Sequence, residues 1–464
     1  MSDAPGHGPR HTIALSARRI APLAWPVFVG QVAVLAFSTV DTVLVGRYAA
    51  LDLAALAVGA AAYVTVFIGM MGVVLAVSPI VGQLFGARRL ADAGAQVHQA
   101  VWLALALSVF GCALLVFPAP FLALSKATPD IEAKVRGYLF ALAFSLPAAL
   151  LFTTYRGFNT AVSRPKAVMA LQLAGLALKV PLSAALVTGV PALGLPAMGV
   201  TGCGVATAIV MWTQVLIAFA VVRRDPFYAP FEILGRGLRR PDRANLRALL
   251  KLGVPMGLAI LIEVTGFTFM SFFIARIGAT QVAGHQIAAN LVALLFMMPL
   301  ALANATATLV AQRIGAADLR DARRLGWHGL QIGIGIAALL GGTVFVLRDQ
   351  VVHAYTRDAA VQAAALPLVA WVALFHTSDA AQAIAAFVLR SYRIATLPLV
   401  IYVAAIWGVG LAGGYVLAFD TFGWSPRALR GAPGFWVAAT AGLLLAGACM
   451  SALLLWVLRQ QRGR

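Results

Sequence analysis

The sequence predicts an all-α integral membrane protein: twelve transmembrane helices in two six-helix lobes related by a parallel pseudo-repeat. Three observations carry this. Of 464 residues, 61% are apolar and 11% charged, and mean hydropathy is +0.90, whereas a soluble domain carries about 25% charge. Twelve apolar stretches each reach the ~20 residues a helix needs to cross hydrocarbon. One constant displacement of 229 residues then lays the punctuation of the second half on the first.

In chain order the spans are expected at 20–46, 53–82, 95–120, 132–157, 166–190 and 196–222, then at 249–276, 281–312, 325–347, 360–389, 395–418 and 433–458. The first fifteen residues are polar with Pro and Gly, so no cleavable signal is expected ahead of span 1. Between the sixth and seventh spans, Arg223 to Lys251 is rich in Arg and Pro and divides the chain into an N-lobe, 1–235, and a C-lobe, 236–464. Of the 35 Lys and Arg, 25 fall on the face holding both termini, 9 on the other, and Lys179 lies inside a span. By the positive-inside rule both termini then face the cytoplasm. Topology and contact with anionic membrane lipid account for the +19 net charge, which leaves no reason to invoke nucleic acid. Cys112, Cys203 and Cys449 sit in apolar stretches with no C-x-x-C pair and no His cluster, which argues against a disulfide framework or zinc; no cofactor is expected beyond a coupling ion, H⁺ or Na⁺.

The displacement carries Val81, Gln83, Gly86, Ala87, Leu90, Asp92 and Ala93 onto Val310, Gln312, Gly315, Ala316, Leu319, Asp321 and Ala322. It also pairs Arg47 with Arg276, Arg164 with Arg393, Gly194 with Gly423 and Gly202 with Gly431. Six spans per repeat give both halves the same membrane orientation. Carriers built this way bind between the halves and rock one against the other.

Four ionisable residues lie deep in these spans: Asp41, Lys179, Glu263 and Asp379. A charge at mid-bilayer costs ~3 kcal/mol on insertion scales, so it is rarely kept without a task. Glu263 is twelve residues after Lys251 and thirteen before Arg276, roughly 20 Å from either boundary, beyond reach by snorkelling. Asp379 is eleven residues from Arg390. Two desolvated carboxyls sharing a cavity can hold a proton, or Na⁺ if further oxygens join them; the plain alternative is a structural hydrogen bond between helices. Around them lie His285, Gln286, Asn290, Thr265, Ser378 and Gln382. His376 sits three residues before Asp379 on the same helical face, which suits either a proton relay or an interhelical hydrogen bond. Phe267 and Phe375 fit a cavity floor or ordinary packing. In the N-lobe, Asp41 is the only carboxylate away from loops, so a pair with Lys179 is expected, made and broken as access alternates or held as a static link. Pro181, two residues on, removes a backbone donor.

Together these residues resemble the multidrug and toxic compound extrusion (MATE) family, in its NorM-type bacterial branch. The resemblance runs from span 1 to span 12. Its carriers are Val-Asp-Thr-Val-Leu-Val-Gly at 40–46, Val-Gly-Gln-Leu-Phe-Gly-Ala at 81–87, Gly-Leu-Pro-Ala-Met-Gly-Val-Thr-Gly at 194–202, Glu263, Ala-Gly-His-Gln-Ile-Ala-Ala-Asn at 283–290, and Asp379. The resemblance implies two six-helix lobes and export of amphipathic, often cationic compounds in exchange for H⁺ or Na⁺. It implies Glu263 and Asp379 as the cation or Na⁺ site, Asp41 as the key N-lobe acid, Phe267 as a cavity aromatic, and Gln286 and Asn290 as polar liners. Two departures stand out. Lys179 replaces a common Asn, with Ser183 where a second Asn is usual, and Phe375 replaces a frequent Tyr. A fixed cation and a missing hydroxyl both favour H⁺ over Na⁺.

The expectation is therefore a monomeric multidrug exporter of the bacterial inner membrane. A lipid-linked oligosaccharide flippase would favour a basic central cavity, whereas here the mid-membrane charge is acidic apart from Lys179. A polytopic membrane enzyme would need catalytic loops, and these loops are short.

Overall fold

The computed structural model describes residues 12–125, 128–234 and 237–460. The expected lobe boundary, between 235 and 236, lies outside them. Among the described residues, twelve helices are long and apolar enough to cross a membrane. Spans 1–6 are Ile13–Tyr48, Ala50–Gly86, Leu90–Val116, Pro129–Ala161, Pro165–Thr188 and Val200–Arg224. Spans 7–12 are Arg243–Ala275, Ala279–Gly315, Leu319–Val346, Ala359–Ser391, Thr396–Phe419 and Ala432–Gln460.

Several helices start earlier than apolarity predicts, because a carboxylate caps them. Asp242 accepts the amides of Ala244 and Asn245 at 3.4 and 3.1 Å, and Asp358 those of Ala360 and Val361 at 2.8 and 3.3 Å. Asp318 takes the amide of Asp321 at 3.0 Å. Each cap satisfies first-turn donors and carries the helix past the hydrocarbon boundary.

Two expected helices are not simple. Span 2 is interrupted between Val74 and Val77. Pro79 has no amide to donate to Leu75, whose carbonyl takes the amide of Ser78 at 3.0 Å, tightening the chain there. Span 11 is α-helical over Thr396–Tyr402, π-helical over Val403–Ala412 and α-helical again over Gly413–Phe419.

Span 4 packs against spans 2, 3 and 6; its counterpart, span 10, packs against 8, 9 and 12. Span 1 lies on span 5, and span 7 on span 11. The same neighbour pattern thus recurs in each half, as a repeat requires. Between the halves, span 1 meets spans 8 and 9, and span 2 meets span 7. Ile20 and Ala24 bury against Leu302 and Ala305, and Arg19 forks onto Asp321 at 2.9 and 2.8 Å. The segment after span 6 leaves through Asp225. Its carboxyl is held below the usual range by the amide of Phe227 and by Arg164, then the chain docks on span 3 through Arg239, whose carbonyl accepts from Trp102 at 2.9 Å. Among the described residues, the side-chain hydrogen bonds and ion pairs that join the two halves all lie toward the face where span 1 begins and span 12 ends, the termini face. Large apolar side chains such as Phe110, Phe144, Leu216 and Leu339 point away from the bundle, exposed, as lipid contact requires.

Candidate functional site: two charge centres and an aromatic wall

In the second half, spans 7, 10 and 11 bring three side chains to one point. The amide nitrogen of Gln382 donates to Glu263 Oε1 at 3.0 Å and to Asp379 Oδ1 at 2.8 Å. Its carbonyl accepts from the hydroxyl of Tyr402. Two carboxylates can only accept when ionised, so this network sets the amide's orientation: NH₂ toward the acids, oxygen toward the phenol. Span 11 grips the same spot a second time, through the Trp407 indole donating to the carbonyl of Ile262 at 3.1 Å, next to Glu263. Trp407 belongs to the π-helical turns that begin right after Tyr402, and such turns gather at functional sites. Asp379 and Tyr402 are buried, whereas Glu263 keeps partial exposure.

On the side of Glu263 away from the termini stands an aromatic wall. Phe267 packs edge-on against Phe375 and Trp436, both at 6.2 Å between ring centroids, and tilts over His285 at 5.7 Å. His285 accepts from the Trp436 indole at Nδ1, 3.2 Å, so its Nε2 donates to Ser271 Oγ at 2.7 Å. The imidazole is thereby held as a neutral ring in the wall. Gln286 and Asn290 lie one turn apart on span 8, both exposed, and Asn290 accepts from the Tyr355 hydroxyl at 2.8 Å. Neither forms a hydrogen bond with the acids among the described residues. His376 is fully buried with both ring nitrogens unpartnered, so the relay to Asp379 that their spacing allowed is not formed.

The first half holds a different centre. Lys179, wholly buried, points its three protons at Asp41 Oδ1 (3.0 Å), Thr207 Oγ1 (2.5 Å) and the Cys203 carbonyl (3.2 Å). Ser183 adds a donor to Asp41 at 3.3 Å. The expected pair is present, and the ammonium is saturated. A second cation would find Asp41 already taken.

The repeat does not relate these centres. The displacement of 229 maps Glu263 and Asp379 onto Val34 and Leu150, and Asp41 and Lys179 onto Met270 and Gly408. Sequence reasoning found the charges because they interrupt apolar runs. It missed Tyr402, Trp407 and Trp436, since an aromatic in a membrane helix carries no such contrast. Among the described residues no three His, Cys, Asp or Glu cluster as metal ligands.

The MatE family model matches this chain twice, over residues 26–185 and 255–416, two segments whose first residues stand 229 apart. The "Probable multidrug resistance protein NorM" of Aromatoleum aromaticum is 42% identical, over 96% of this chain and 96% of its own length. The "Multidrug resistance protein NorM" of Vibrio cholerae is 32% identical over 97% of each chain. Among solved structures, the Vibrio cholerae MATE transporter VcmN in its bent form superposes with a TM-score of 0.83 at 17% identity, over 97% of this chain and 98% of that one. Two matches to one family model, near-full-length relatives and a shared twelve-helix fold agree: this chain belongs to the MatE family and is a NorM-type MATE transporter.

Proposed function

We propose that this transporter exports bulky amphipathic, often cationic compounds across the bacterial inner membrane in exchange for H⁺, the two halves rocking against one another and the second half holding the coupling acids. The observation that carries the reading is the Glu263–Gln382–Asp379 bridge beside the Phe267–Phe375–Trp436 wall. Acids next to an aromatic surface suit a lipophilic cation, which gains cation–π attraction as well as charge pairing. One proton shared over the two carboxylates would weaken that pairing and release the cargo; losing it would restore the pairing. Binding of proton and cargo is thus mutually exclusive at one point, which is what antiport requires.

H⁺ is favoured over Na⁺ because a sodium ion needs several oxygens. Here Gln382 turns a nitrogen toward the acids and Phe375 has no hydroxyl to offer. The first half leaves coupling to the second, since Lys179 already neutralises Asp41. The excess of Lys and Arg on the termini face supports a cytoplasmic location for both ends. Membrane lipid is the expected surrounding and a monomer the expected working unit.

Proteoliposomes loaded with ethidium test this under an imposed H⁺ or Na⁺ gradient, with wild type and the Glu263→Gln/Asp379→Asn variant. Ethidium movement driven by the H⁺ gradient and lost in the variant is expected. Movement under Na⁺ alone would replace H⁺ as the coupling ion, and movement under neither would discard antiport of this cargo.

A further inference from the structure

We infer that Gln83 and Gln312 are a matched pair of gating residues, each latching the last turn of a span in the opposite half, so that together they hold the termini face shut. The inference rests on the alternating-access reading above and assigns that motion its residues. The motif Val-Gly-Gln-Leu-Phe-Gly-Ala at 81–87 and its repeat at 310–316 have no part in either charge centre, yet they bring the backbones of the two halves close enough that a Cβ on Gly86 or Gly315 would strike the other half.

Gln83, near the end of span 2, donates from Nε2 to the carbonyl of Ser391, the last residue of span 10, at 2.7 Å. Gln312, near the end of span 8, donates from Nε2 to the carbonyl of Ala161, the last residue of span 4, also at 2.7 Å. Each amide then touches the left-handed residue of the turn that follows. Gln83 Oε1 accepts from Arg393 Nε at 2.9 Å, and Gln312 Nε2 donates to Ser163 Oγ at 2.8 Å. Arg393 and Ser163 both have φ +61°. The turns correspond residue for residue in space, although the sequence repeat pairs Arg393 with Arg164; one residue separates the two alignments.

Two glycines permit this approach. A Cβ on Gly86 would fall 1.9 Å from the carbonyl oxygen of Gln312, and one on Gly315 would fall 1.8 Å from that of Gln83. Both obstacles are backbone, so no side-chain rotation relieves them. Gly82, one helical turn earlier, faces the Cβ of Ala311 at 3.0 Å. A carbonyl at a helix end has no partner within its own helix and must find one elsewhere. Spans 4 and 10 find theirs across the boundary between halves. Opening the termini face would return these carbonyls to water, where they lose little. The bonds are therefore strong enough to bias the equilibrium and weak enough to break in each cycle.

The test uses the whole transporter in nanodiscs, with Cys112, Cys203 and Cys449 replaced by Ser and the buried Ser391 replaced by the nearly isosteric Cys as reporter. The readout is the rate of alkylation by a charged, membrane-impermeant maleimide. The Gln83→Leu/Gln312→Leu variant keeps the bulk and removes the bonds; it should react roughly tenfold faster or more than its parent, as a shift of the open population requires. Gly86→Val should act in the same direction by wedging the halves apart. Restoring a single glutamine should return part of the protection. An unchanged rate in the glutamine variant, in protein that remains monodisperse, overturns the inference. No substrate or ion gradient enters this assay, so a failure of the proposed transport reading leaves its result readable.

Discussion

The amide of Gln382 answers to three partners, Glu263, Asp379 and Tyr402, and each depends on the others. Replacing Gln382 by Leu leaves two acids side by side without their shared donor. Gradient-driven export should fall roughly tenfold, equivalent to ~1.4 kcal/mol, with insertion unaffected. Tyr402→Phe removes only the group that orients the amide, so a smaller loss is expected, about 1 kcal/mol in thermal stability with export reduced several-fold. Initial rates in proteoliposomes beside melting curves in detergent check both, and a Tyr402→Phe protein with normal export would remove the phenol from the network. In the other half, Lys179→Ala would strand Asp41 with Ser183 alone. Breaking one side of a buried pair costs about 3–5 kcal/mol, so this protein should melt well below wild type.

At the scale of the element, span 11 is where sequence and structure part company. Its length and apolarity predicted a helix over 395–418, and a span does run over Thr396–Phe419. Nothing in its composition announced the π-helical turns at Val403–Ala412, because the choice between i→i+4 and i→i+5 bonding is made by the neighbours. Trp407 reaches Ile262, and Gly442 of span 12 comes so near that a Cβ there would lie 2.5 Å from the carbonyl of Ala405. Inserting one alanine after Val409, beyond what the π-helical turns already absorb, would turn everything beyond it by about 100°. Tyr415 should then leave Phe273, which it meets at 5.1 Å between ring centroids, and export should be lost while the spans still insert; cysteine labelling at position 415 would follow the rotation. The caps show the opposite case. Asp242, Asp318 and Asp358 stood in plain sight ahead of apolar runs, and reading them as caps would have moved three helix starts to their observed places. The acids and Lys179 were legible for the same reason as the spans, by contrast of charge with apolar surroundings. Of the aromatic wall, Phe267 and Phe375 were legible beside the acids, with cavity floor and ordinary packing both open, whereas Trp436 was not, because only its packing distinguishes it from other rings in the bilayer.

The whole molecule combines a backbone that repeats with charge that does not. Spans 1–6 and 7–12 share a neighbour pattern, and the family model matches both, yet the acids of the second half correspond to Val34 and Leu150 in the first. A symmetric frame can rock as two rigid bodies, and under the proposed H⁺ coupling the asymmetric charge would make only one of them respond to protonation. The first half carries its ion pair closed, with every proton of Lys179 engaged. A pair that serves packing should tolerate joint neutralisation, since exchanging a buried ion pair for uncharged groups of similar volume is often neutral where breaking it is costly. The Lys179→Met/Asp41→Asn protein should therefore melt closer to wild type than Lys179→Ala, and should retain H⁺-driven export within about threefold, ~0.7 kcal/mol. The Glu263→Gln/Asp379→Asn protein should bind cargo weakly and show no response to the gradient. Measured side by side as proton flux per ethidium moved, the two variants locate coupling in one half. If the neutralised pair in the first half loses proton flux while the protein stays folded, Asp41 takes part in coupling and the closed pair is one stage of the cycle.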